Sequence, residues 1–273
     1  MTDDLGDRMK EYESRESARR FLPMLPVYAR IDGRNFSAFT RDFRRPYDQI
    51  MSRAMIGTTR ILVQETHAKI GYTQSDEISL IWLGERYNSG IFFDGKVAKM
   101  TSILAGLATA AFCKELPDHL DRLPHFDCRV FQLPNRAEGT NVFLWRELDA
   151  TKNAISMAAR SLYSHRELDH KNSAEMQEML FKKGVNFNDY PAFFKRGTFV
   201  RRIARERLLT SEELDRIPEK HRPAVDALVM RSEIAELEVP KFSTVINRES
   251  FIFDGADPET CKNSGACSVG KDR

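Results

Sequence analysis

Two acidic turns constrain the fold of this chain more than any other feature. Asp32 begins the first turn and directly follows an apolar run at residues 27–31. Asp76 and Glu77 lie in the second turn, between apolar runs at residues 70–73 and 78–83. Short apolar runs bounded by polar turns predict strands, and the second pattern predicts a hairpin with acid at its tip. Acidic turns are common, however, and each turn taken alone favours a solvated loop.

The order of the predicted elements brings the two turns together. Helical periodicity at about residues 47–67 and 96–116 separates these strands from each other and from a further strand at residues 128–133. Strand, helix, strand, strand, helix, strand is the split βαβ, ferredoxin-like pattern, an α+β fold. It predicts a mixed sheet with both helices on one face. The first strand and the hairpin would be neighbours, so Asp32 and Asp76 could converge.

Paired carboxylates at strand ends favour a particular chemistry. Mg²⁺ prefers hard oxygen ligands and is commonly held by one or two carboxylates together with substrate phosphates. Asp32 and Asp76 therefore predict a magnesium site used for nucleotide chemistry.

Composition adds broad limits. The chain has 273 residues, 30% of them charged, and a net charge of +2. A nucleic-acid partner would therefore have to meet a local basic patch. Residues 1–20 lack the apolar core of a secretory signal, and no apolar stretch approaches the roughly 20 residues that span a bilayer. We therefore expect a cytoplasmic protein without a membrane partner.

The second half of the chain has a different character. A helix is predicted at residues 149–164, with Asn153, Ser156 and Arg160 on one polar face. That face could meet nucleotide or RNA, or could be solvated. Charged sequence that looks helical continues to about residue 238. Six basic residues with interleaved phenylalanines suit an RNA backbone, although a charged helix surface is the alternative. They are Lys195, Arg196, Arg201, Arg202, Arg205 and Arg207.

These patterns predict four segments. Residues 1–25 form an N-terminal extension, 26–150 a catalytic domain, 151–240 a mainly helical, basic lobe, and 241–273 a tail. Cys113 and Cys128 lie in apolar surroundings and are predicted to be buried thiols. Cys261 and Cys267, in the tail, lack the spacing of a zinc site.

Five motifs together resemble the tRNA-histidine guanylyltransferase superfamily over roughly residues 26–202. They are Arg30-Ile-Asp-Gly-Arg-Asn-Phe36, Gly71-Tyr-Thr-Gln-Ser-Asp-Glu77, Phe126-Asp-Cys-Arg-Val130, Trp145-Arg-Glu-Leu-Asp149 and Lys195-Arg-Gly-Thr198. The first two together are specific, whereas the others are weak alone. The resemblance implies a polymerase-type palm and an enzyme, a nucleotidyltransferase that extends RNA in the 3′-to-5′ direction.

One stretch departs from the dedicated guanylyltransferases. They carry His-Ile-Asn-Asn-Leu-Tyr-Asn where this chain reads Thr151-Lys-Asn-Ala-Ile-Ser-Met157. This version resembles the guanylyltransferase-like branch, whose members repair tRNAs truncated at the 5′ end by template-dependent addition. The resemblance therefore favours repair over addition of the extra G to histidine tRNA, which stays the alternative.

The resemblance also implies roles for individual residues. Asp32, the Gly33 carbonyl and Asp76 would hold two Mg²⁺ ions, with Glu77 as a further catalytic carboxylate behind them or on the metal. Nucleotide would contact Gly33, Arg34, Asn35, Phe36, Ser37, Arg45, Ser75, Lys96 and Lys99. RNA would contact Arg129, Asn153, Arg160, Lys195, Arg196, Arg201 and Arg202.

The expected reaction and partners follow from the same resemblance. ATP would activate the 5′-phosphate of a tRNA, and an incoming nucleoside triphosphate such as GTP would then be added. A homotetramer, a dimer of dimers, is expected. The rival functions are a nucleotidyl cyclase on the same palm and a non-catalytic RNA-binding protein on a decayed palm.

Overall fold

The structure is a computed structural model that describes residues 5–224 and 227–261. Its strands are β1 (Val27–Gly33), β2 (Ile70–Gln74), β3 (Glu77–Trp82), β4 (Phe126–Gln132), β5 (Thr198–Leu208) and β6 (Leu228–Leu237). Its α-helices are α1 (Leu5–Ser17), α2 (Phe36–Phe39), α3 (Gln49–Thr66), α4 (Val97–Glu115), α5 (Arg136–Arg160), α6 (His165–Leu168), α7 (Ser173–Lys182), α8 (Ala192–Arg196), α9 (Ser211–Asp215) and α10 (Arg248–Phe253).

These strands form one sheet in the order β4-β1-β3-β2-β5-β6. The first four follow the ferredoxin-like order, so the predicted α+β fold is confirmed. Every strand pair is antiparallel, however, and the sheet is not mixed as predicted. The hairpin between β2 and β3 reverses the chain, which makes β3 antiparallel to its other neighbour, β1.

The two faces of the sheet are covered by different helices. Because side chains alternate along a strand, Val27, Ala29 and Ile31 face the core formed with α3 and α4. Tyr28 faces the opposite way, into a second core with Phe143 of α5 and the C-terminal segment around α10. The two predicted helices therefore share one face, and α5 covers part of the other.

Helices α3 and α4 end within two residues of their predicted bounds. Asp48 accepts hydrogen bonds from the first backbone N–H groups of α3, as an N-cap does. By length and composition alone, α4 is apolar enough to cross a membrane, with 19 residues and mean hydropathy 1.2. The statement that no apolar stretch approaches that length was therefore wrong. In the fold, Met100, Leu104 and Ala108 of α4 pack into the core against the sheet.

Helix α5 is longer than predicted. It begins at Arg136, where Asn135 accepts a hydrogen bond from the Glu138 N–H, and not at residue 149. The predicted boundary between residues 150 and 151 falls inside this continuous helix.

The C-terminal lobe contains the end of α5 and helices α6 to α9, as predicted, but it also contains two strands that were not predicted. Residues 198–208 and 228–237, predicted as charged helix, form the two strands of a long hairpin. Their many Arg, Glu and Ala residues favour helix locally, but pairing of β5 with β2 extends the sheet and overrides that preference.

Cys128 is buried as predicted, whereas Cys113 is only half-buried. Cys267 lies outside the described residues.

Candidate active site

Strand register brings the acidic turns to one rim of the sheet. Asp32, near the end of β1, is paired with Glu77, the first residue of β3. The Gly33 N–H donates to the Asp76 carbonyl over 3.0 Å. Ser75 and Asp76 form a two-residue turn, in which Ser75 has the left-handed φ of 54°. Asp32 and Asp76 therefore lie on adjacent strands at the same end.

Gly33 is required by a close approach. A Cβ atom at this position would lie 2.4 Å from the Phe36 ring. That ring is 3% exposed and packs against Phe112 and Phe126 in the core. Any larger residue would displace the turn that follows Asp32.

The ionised forms of the rim carboxylates of Asp32 and Asp76 are destabilised by their surroundings. Burial, and then the charge of Asp127, raise the pKa of Asp32, and nearby arginines led by Arg30 lower it less. Burial also raises the pKa of Asp76; a hydrogen bond from Ser75 opposes this and the charge of Asp32 adds to it. Within residues 5–224 and 227–261, neither carboxylate forms an ion pair with a basic side chain.

This donor set fits a divalent cation. Two unpaired carboxylates and a backbone carbonyl supply hard oxygen ligands, and a cation would relieve their repulsion. The described part of the chain contains no group of three or more His, Cys, Asp or Glu side chains suited to a metal. The site would therefore depend on Asp32, Asp76 and the Gly33 carbonyl, with substrate phosphates completing it.

Glu77 differs from the two aspartates. Its Oε1 accepts from Arg146 Nε at 2.5 Å, and its Oε2 from Arg146 Nη2 at 2.8 Å. Arg30 Nε lies 3.8 Å from the same carboxylate. Both oxygens accept hydrogen bonds from Arg146, so Glu77 fixes β3 to α5, and this favours a place behind the metal over a place on it.

A cavity of about 270 Å³ opens beside Asp76. Its lining includes basic side chains, aromatic rings, two methionines and the Ser75–Asp76 turn. Among the predicted nucleotide contacts, Phe36, Ser37, Arg45 and Ser75 line it. Sequence reasoning missed Arg44, Tyr47 and Met157, and assigned Phe193 and Phe194 to RNA instead. The arginine-rich segment before Pro46 was the available signal for Arg44.

The remaining residues after Asp32 fall into two groups. Arg34 and Asn35 are exposed on the rim, and Asn35 has a left-handed φ of 58°. Phe36 is buried, so only its backbone and ring edge could contribute to the cavity; a side-chain contact with phosphate is ruled out.

Lys96 and Lys99 lie at the end of their own chain's sheet that is opposite the rim with Asp32 and Asp76. Phe92, just before α4, stacks on Trp82, and Trp82 is paired with Val27 at the start of β1. The opposite end of α4 carries Phe112, which contacts Phe36 beside the rim. With a 1.5 Å rise per residue, α4 separates these lysines from Asp32 by roughly its own length. Within one chain they do not contact a nucleotide at Asp76.

The predicted RNA contacts are partly contradicted. Arg201 is 6% exposed and donates to the Phe251 and Ala256 carbonyls at 3.0 Å, so it holds the C-terminal segment. Lys195 Nζ donates to the Asn188 carbonyl. Arg202 is exposed and donates to Ser232.

Other members of that predicted set remain at the surface. Asn153 and Arg160 are exposed on α5, and Arg196 is half-buried beside the Glu147 carboxylate. Arg129 is exposed and its Nε lies 3.8 Å from an oxygen of Asp127, so it forms an ion pair at the surface.

Comparison with known proteins identifies relatives. A profile described as tRNAHis guanylyltransferase (Thg1) matches residues 6–134. The tRNA(His) guanylyltransferase of Schizosaccharomyces pombe is 30% identical over 208 residues, which cover 70% of this chain and 77% of that protein. A bacterial tRNA(His) guanylyltransferase (Thg1)-like protein, solved with ATP, is 31% identical with a TM-score of 0.74, covering 92% of this chain and 99% of that one. A GTP complex under the same description gives 30% identity and a TM-score of 0.71, covering 92% and 100%.

The fold, the rim carboxylates and these relatives define a nucleotidyltransferase. The chain belongs to the tRNAHis guanylyltransferase (Thg1) family.

Proposed function

We propose that this enzyme adds nucleotides to the 5′ end of truncated tRNAs, in the 3′-to-5′ direction and under the guidance of a template. The observation that carries the proposal is the convergence of Asp32 and Asp76 beside a cavity lined by arginines and aromatic rings. ATP and GTP would be substrates, as the bacterial relatives solved with each nucleotide suggest. The enzyme is expected to act in the cytoplasm.

In this proposal, each part of the cavity has a distinct task. Arg44 and Arg45 would bind triphosphate oxygens, since guanidinium groups match phosphate with several donors. Tyr47 and Phe194 would pack on the base. Asp32, Asp76 and the Gly33 carbonyl would hold Mg²⁺, which supplies activation of the attacking hydroxyl and neutralisation of phosphate charge when bound.

The chemistry would proceed in two transfers. The 5′-phosphate of RNA first attacks the α-phosphorus of ATP, which releases pyrophosphate and leaves an adenylylated 5′ end. The 3′-hydroxyl of an incoming nucleoside triphosphate then attacks the 5′-phosphorus of the RNA and displaces AMP. Where the RNA already ends in a triphosphate, the same attack releases pyrophosphate directly.

Two observations support repair over the dedicated addition of one G. Residues 151–157 lack the asparagine-rich stretch of the dedicated enzymes, and Ala154 and Ile155 within it are core residues. The bacterial Thg1-like relative also matches over nearly its whole length. The alternative, true tRNA-histidine guanylyltransferase activity, shares the same site.

The deciding experiment compares two RNAs. Purified enzyme is incubated with Mg²⁺, ATP and all four nucleoside triphosphates, together with either a 5′-truncated tRNA or an intact histidine tRNA. We expect the truncated tRNA to be extended until its acceptor stem is complete. Extension of the histidine tRNA alone, by a single G, would support the alternative.

Variants and omissions in the same assay separate the rival functions. Asp76→Ala should abolish extension, whereas Glu138→Gln, an exposed substitution on α5, should leave it unchanged. No extension by the wild-type enzyme would contradict the proposal and favour an RNA-binding role. A product formed from nucleotides without RNA would indicate a cyclase.

The homotetramer expected from the family is part of this proposal. Lys96 and Lys99 lie far from their own chain's rim, so they could reach a nucleotide only at the site of another subunit. Sedimentation analysis would test the assembly, and a monomer with full activity would contradict it.

A further inference from the structure

Trp145 lies at the surface, although exposure of an indole ring to water is energetically unfavourable. Its residue is 49% exposed on α5, while the other tryptophan of the chain, Trp82, is 2% exposed in the core. Two guanidinium groups contact the Trp145 ring: the Cζ of Arg146 lies 4.5 Å from the ring centroid and the Cζ of Arg30 lies 5.8 Å from it. An aromatic ring held between a sheet and solvent is available for stacking.

The two arginines fix the orientation of this ring. Both approach the carboxylate of Glu77, and Arg146 does so through two hydrogen bonds. Because both guanidiniums converge on one carboxylate of β3, they contact the indole from the side that faces the sheet. Nearly half of the Trp145 surface remains exposed despite these contacts.

The surface beside Trp145 is basic and adjoins the catalytic rim. Arg30 is paired across β1 and β4 with Arg129, whose side chain is exposed. Residues paired in this way project from the same face. Asp32 projects from that face too, two residues after Arg30. The nucleotide cavity is bounded by α2, the start of α3, α8, the Ser75–Asp76 turn and, from α5, Met157, which lies 12 residues beyond Trp145.

We propose that Trp145, Arg30 and Arg129 form a platform for the 5′ end of the RNA. The terminal base stacks on the exposed side of the Trp145 ring, and Arg129 contacts a nearby backbone phosphate. Aromatic rings beside arginines are the combination that binds nucleic-acid strands. Trp145, Arg30 and Arg129 are not among the residues that line the cavity, so the RNA end and the incoming nucleotide can occupy the site together. This inference rests on the proposed function, since it assigns the RNA substrate of the same site.

Intrinsic fluorescence tests the platform directly, because the only other tryptophan is buried. A 5′-truncated tRNA bearing a 5′-monophosphate is titrated into the full-length enzyme without ATP or Mg²⁺. We expect saturable quenching of tryptophan emission in the wild type and its loss in Trp145→Phe, which retains Trp82. Anisotropy of a labelled copy of the same tRNA shows independently whether RNA binds.

Kinetics distinguish a stacking role from a purely structural one. Loss of a base–aromatic stack predicts that Trp145→Ala raises the KM for tRNA about tenfold and leaves the KM for ATP unchanged. Trp145→Phe should restore most of the affinity, because phenylalanine retains a stacking face. Arg129→Gln should lower the slope of log affinity against log salt by about one. Tyr87→Ala, which removes an exposed aromatic ring at the far end of the sheet, is the matched control and should change neither KM.

Several outcomes would overturn the platform. Wild-type enzyme that binds tRNA without quenching, or equal quenching by ATP or GTP alone, would show that RNA does not stack on Trp145. An unchanged KM for tRNA in Trp145→Ala would do the same while leaving 5′ extension, and so the proposed function, intact. Conversely, saturable quenching by tRNA in an enzyme that extends no RNA would support the platform and contradict the proposed function.

Discussion

The acidic residues of the rim differ in whether a cationic partner neutralises them. Glu77 is paired with Arg146 through both oxygens. Asp32 and Asp76 have no such partner among the residues described, and burial raises the pKa of each. The structure therefore separates a carboxylate that holds the fold from two that are available to a cation.

Asp76→Asn tests this separation through metal binding and stability. Removing an unpaired, half-buried charge should raise the thermal midpoint of the metal-free protein, and it should abolish the stabilisation that Mg²⁺ gives to the wild type. The rate of 5′ extension should fall at least about a thousandfold, since a metal contributes several kcal/mol to charge stabilisation. Thermal unfolding with and without Mg²⁺ checks the first two effects. A variant that still responds to Mg²⁺ as the wild type does would contradict the assigned site.

Glu77→Gln should act on the fold instead. The change removes the charge of the bidentate partner of the Arg146 guanidinium, whose side chain is 9% exposed, and leaves Asp149, 3.1 Å away, as its charged neighbour. Breaking a buried pair in this way costs about 3 kcal/mol of the free energy of unfolding. Urea unfolding measures the loss. If stability were unchanged while Mg²⁺-dependent stabilisation disappeared, Glu77 would be a metal ligand after all.

At the level of elements, the hairpin of β5 and β6 extends the palm-like sheet by two strands. Arg201 of β5 is the point at which this extension is attached to the C-terminal segment, through the Phe251 and Ala256 carbonyls. Its guanidinium also lies over the Phe251 ring, with 5.4 Å between Cζ and the ring centroid. A buried arginine with these contacts stabilises the fold and has no surface to offer RNA.

Arg201→Leu should therefore lower stability and leave RNA affinity unchanged in the folded protein. Loss of two hydrogen bonds from a charged donor predicts a decrease of about 2 kcal/mol in the free energy of unfolding. Arg205→Ala is the matched control on the same strand. Its exposed ion pair with Glu233 spans 3.2 Å and should contribute less than about 1 kcal/mol. Equal losses in the two variants, measured by urea unfolding, would show that Arg201 has no special role.

The sequence predicts some elements well and others poorly, for physical reasons. The order of β1 to β4 and the bounds of α3 and α4 follow from local periodicity and an N-cap, so Asp32 and Asp76 could be placed on one rim. The start of α5 was missed because Gly139 disfavours helix locally. In the fold, a Cβ at Gly139 would lie 2.7 Å from the Phe253 ring, a tertiary contact that the local sequence does not contain.

The distance of Lys96 and Lys99 from their own chain's rim could have been predicted from the order of the elements. Strand β3 starts at the rim and runs away from it, so the helix that follows must begin at the opposite end of the sheet. The positions of Arg201, Tyr47 and Phe194 could not be predicted in this way. They depend on which distant segments pack together, and periodicity along the chain carries no such information.

At the scale of the whole molecule, α5 connects the sheet, the cavity and the segment after β6. Its first part packs on the sheet through Phe143, its middle holds Glu77 through Arg146, and Met157 near its end lines the cavity. Glu147 on the same helix accepts the Phe242 N–H over 2.8 Å and so secures the segment after β6.

Glu147 should make stability depend on pH. Burial raises its pKa to about 6, although the Phe242 hydrogen bond, Arg196 and Lys241 oppose the shift. Between about pH 4.5 and 6 the folded state therefore binds more protons than the unfolded state, and stability falls as pH rises through that window. The loss above it should be at most about 2 kcal/mol.

Glu147→Gln should remove this dependence, because the amide oxygen can still accept the Phe242 N–H. We expect the variant to gain stability at pH 7.5 and to match the wild type at pH 4.5, as measured by urea unfolding at both values. Glu138→Gln, an exposed substitution on the same helix, is the control. A gain at pH 4.5 as large as that at pH 7.5 would show that a cause other than titration of Glu147 is responsible.

The two-residue turn at Ser75 and Asp76 limits how this protein can be altered. A single residue inserted there would shift the register of β3 against β1 and exchange which side chains face each side of the sheet. Asp32 would then no longer be paired with Glu77, and the Arg146 contact would be lost as well. Changes in length are therefore better tolerated in surface connections far from this rim, such as the exposed residues 85–90 after β3. Engineering of new specificity should proceed by substitution in the cavity, with the length of the hairpin unchanged.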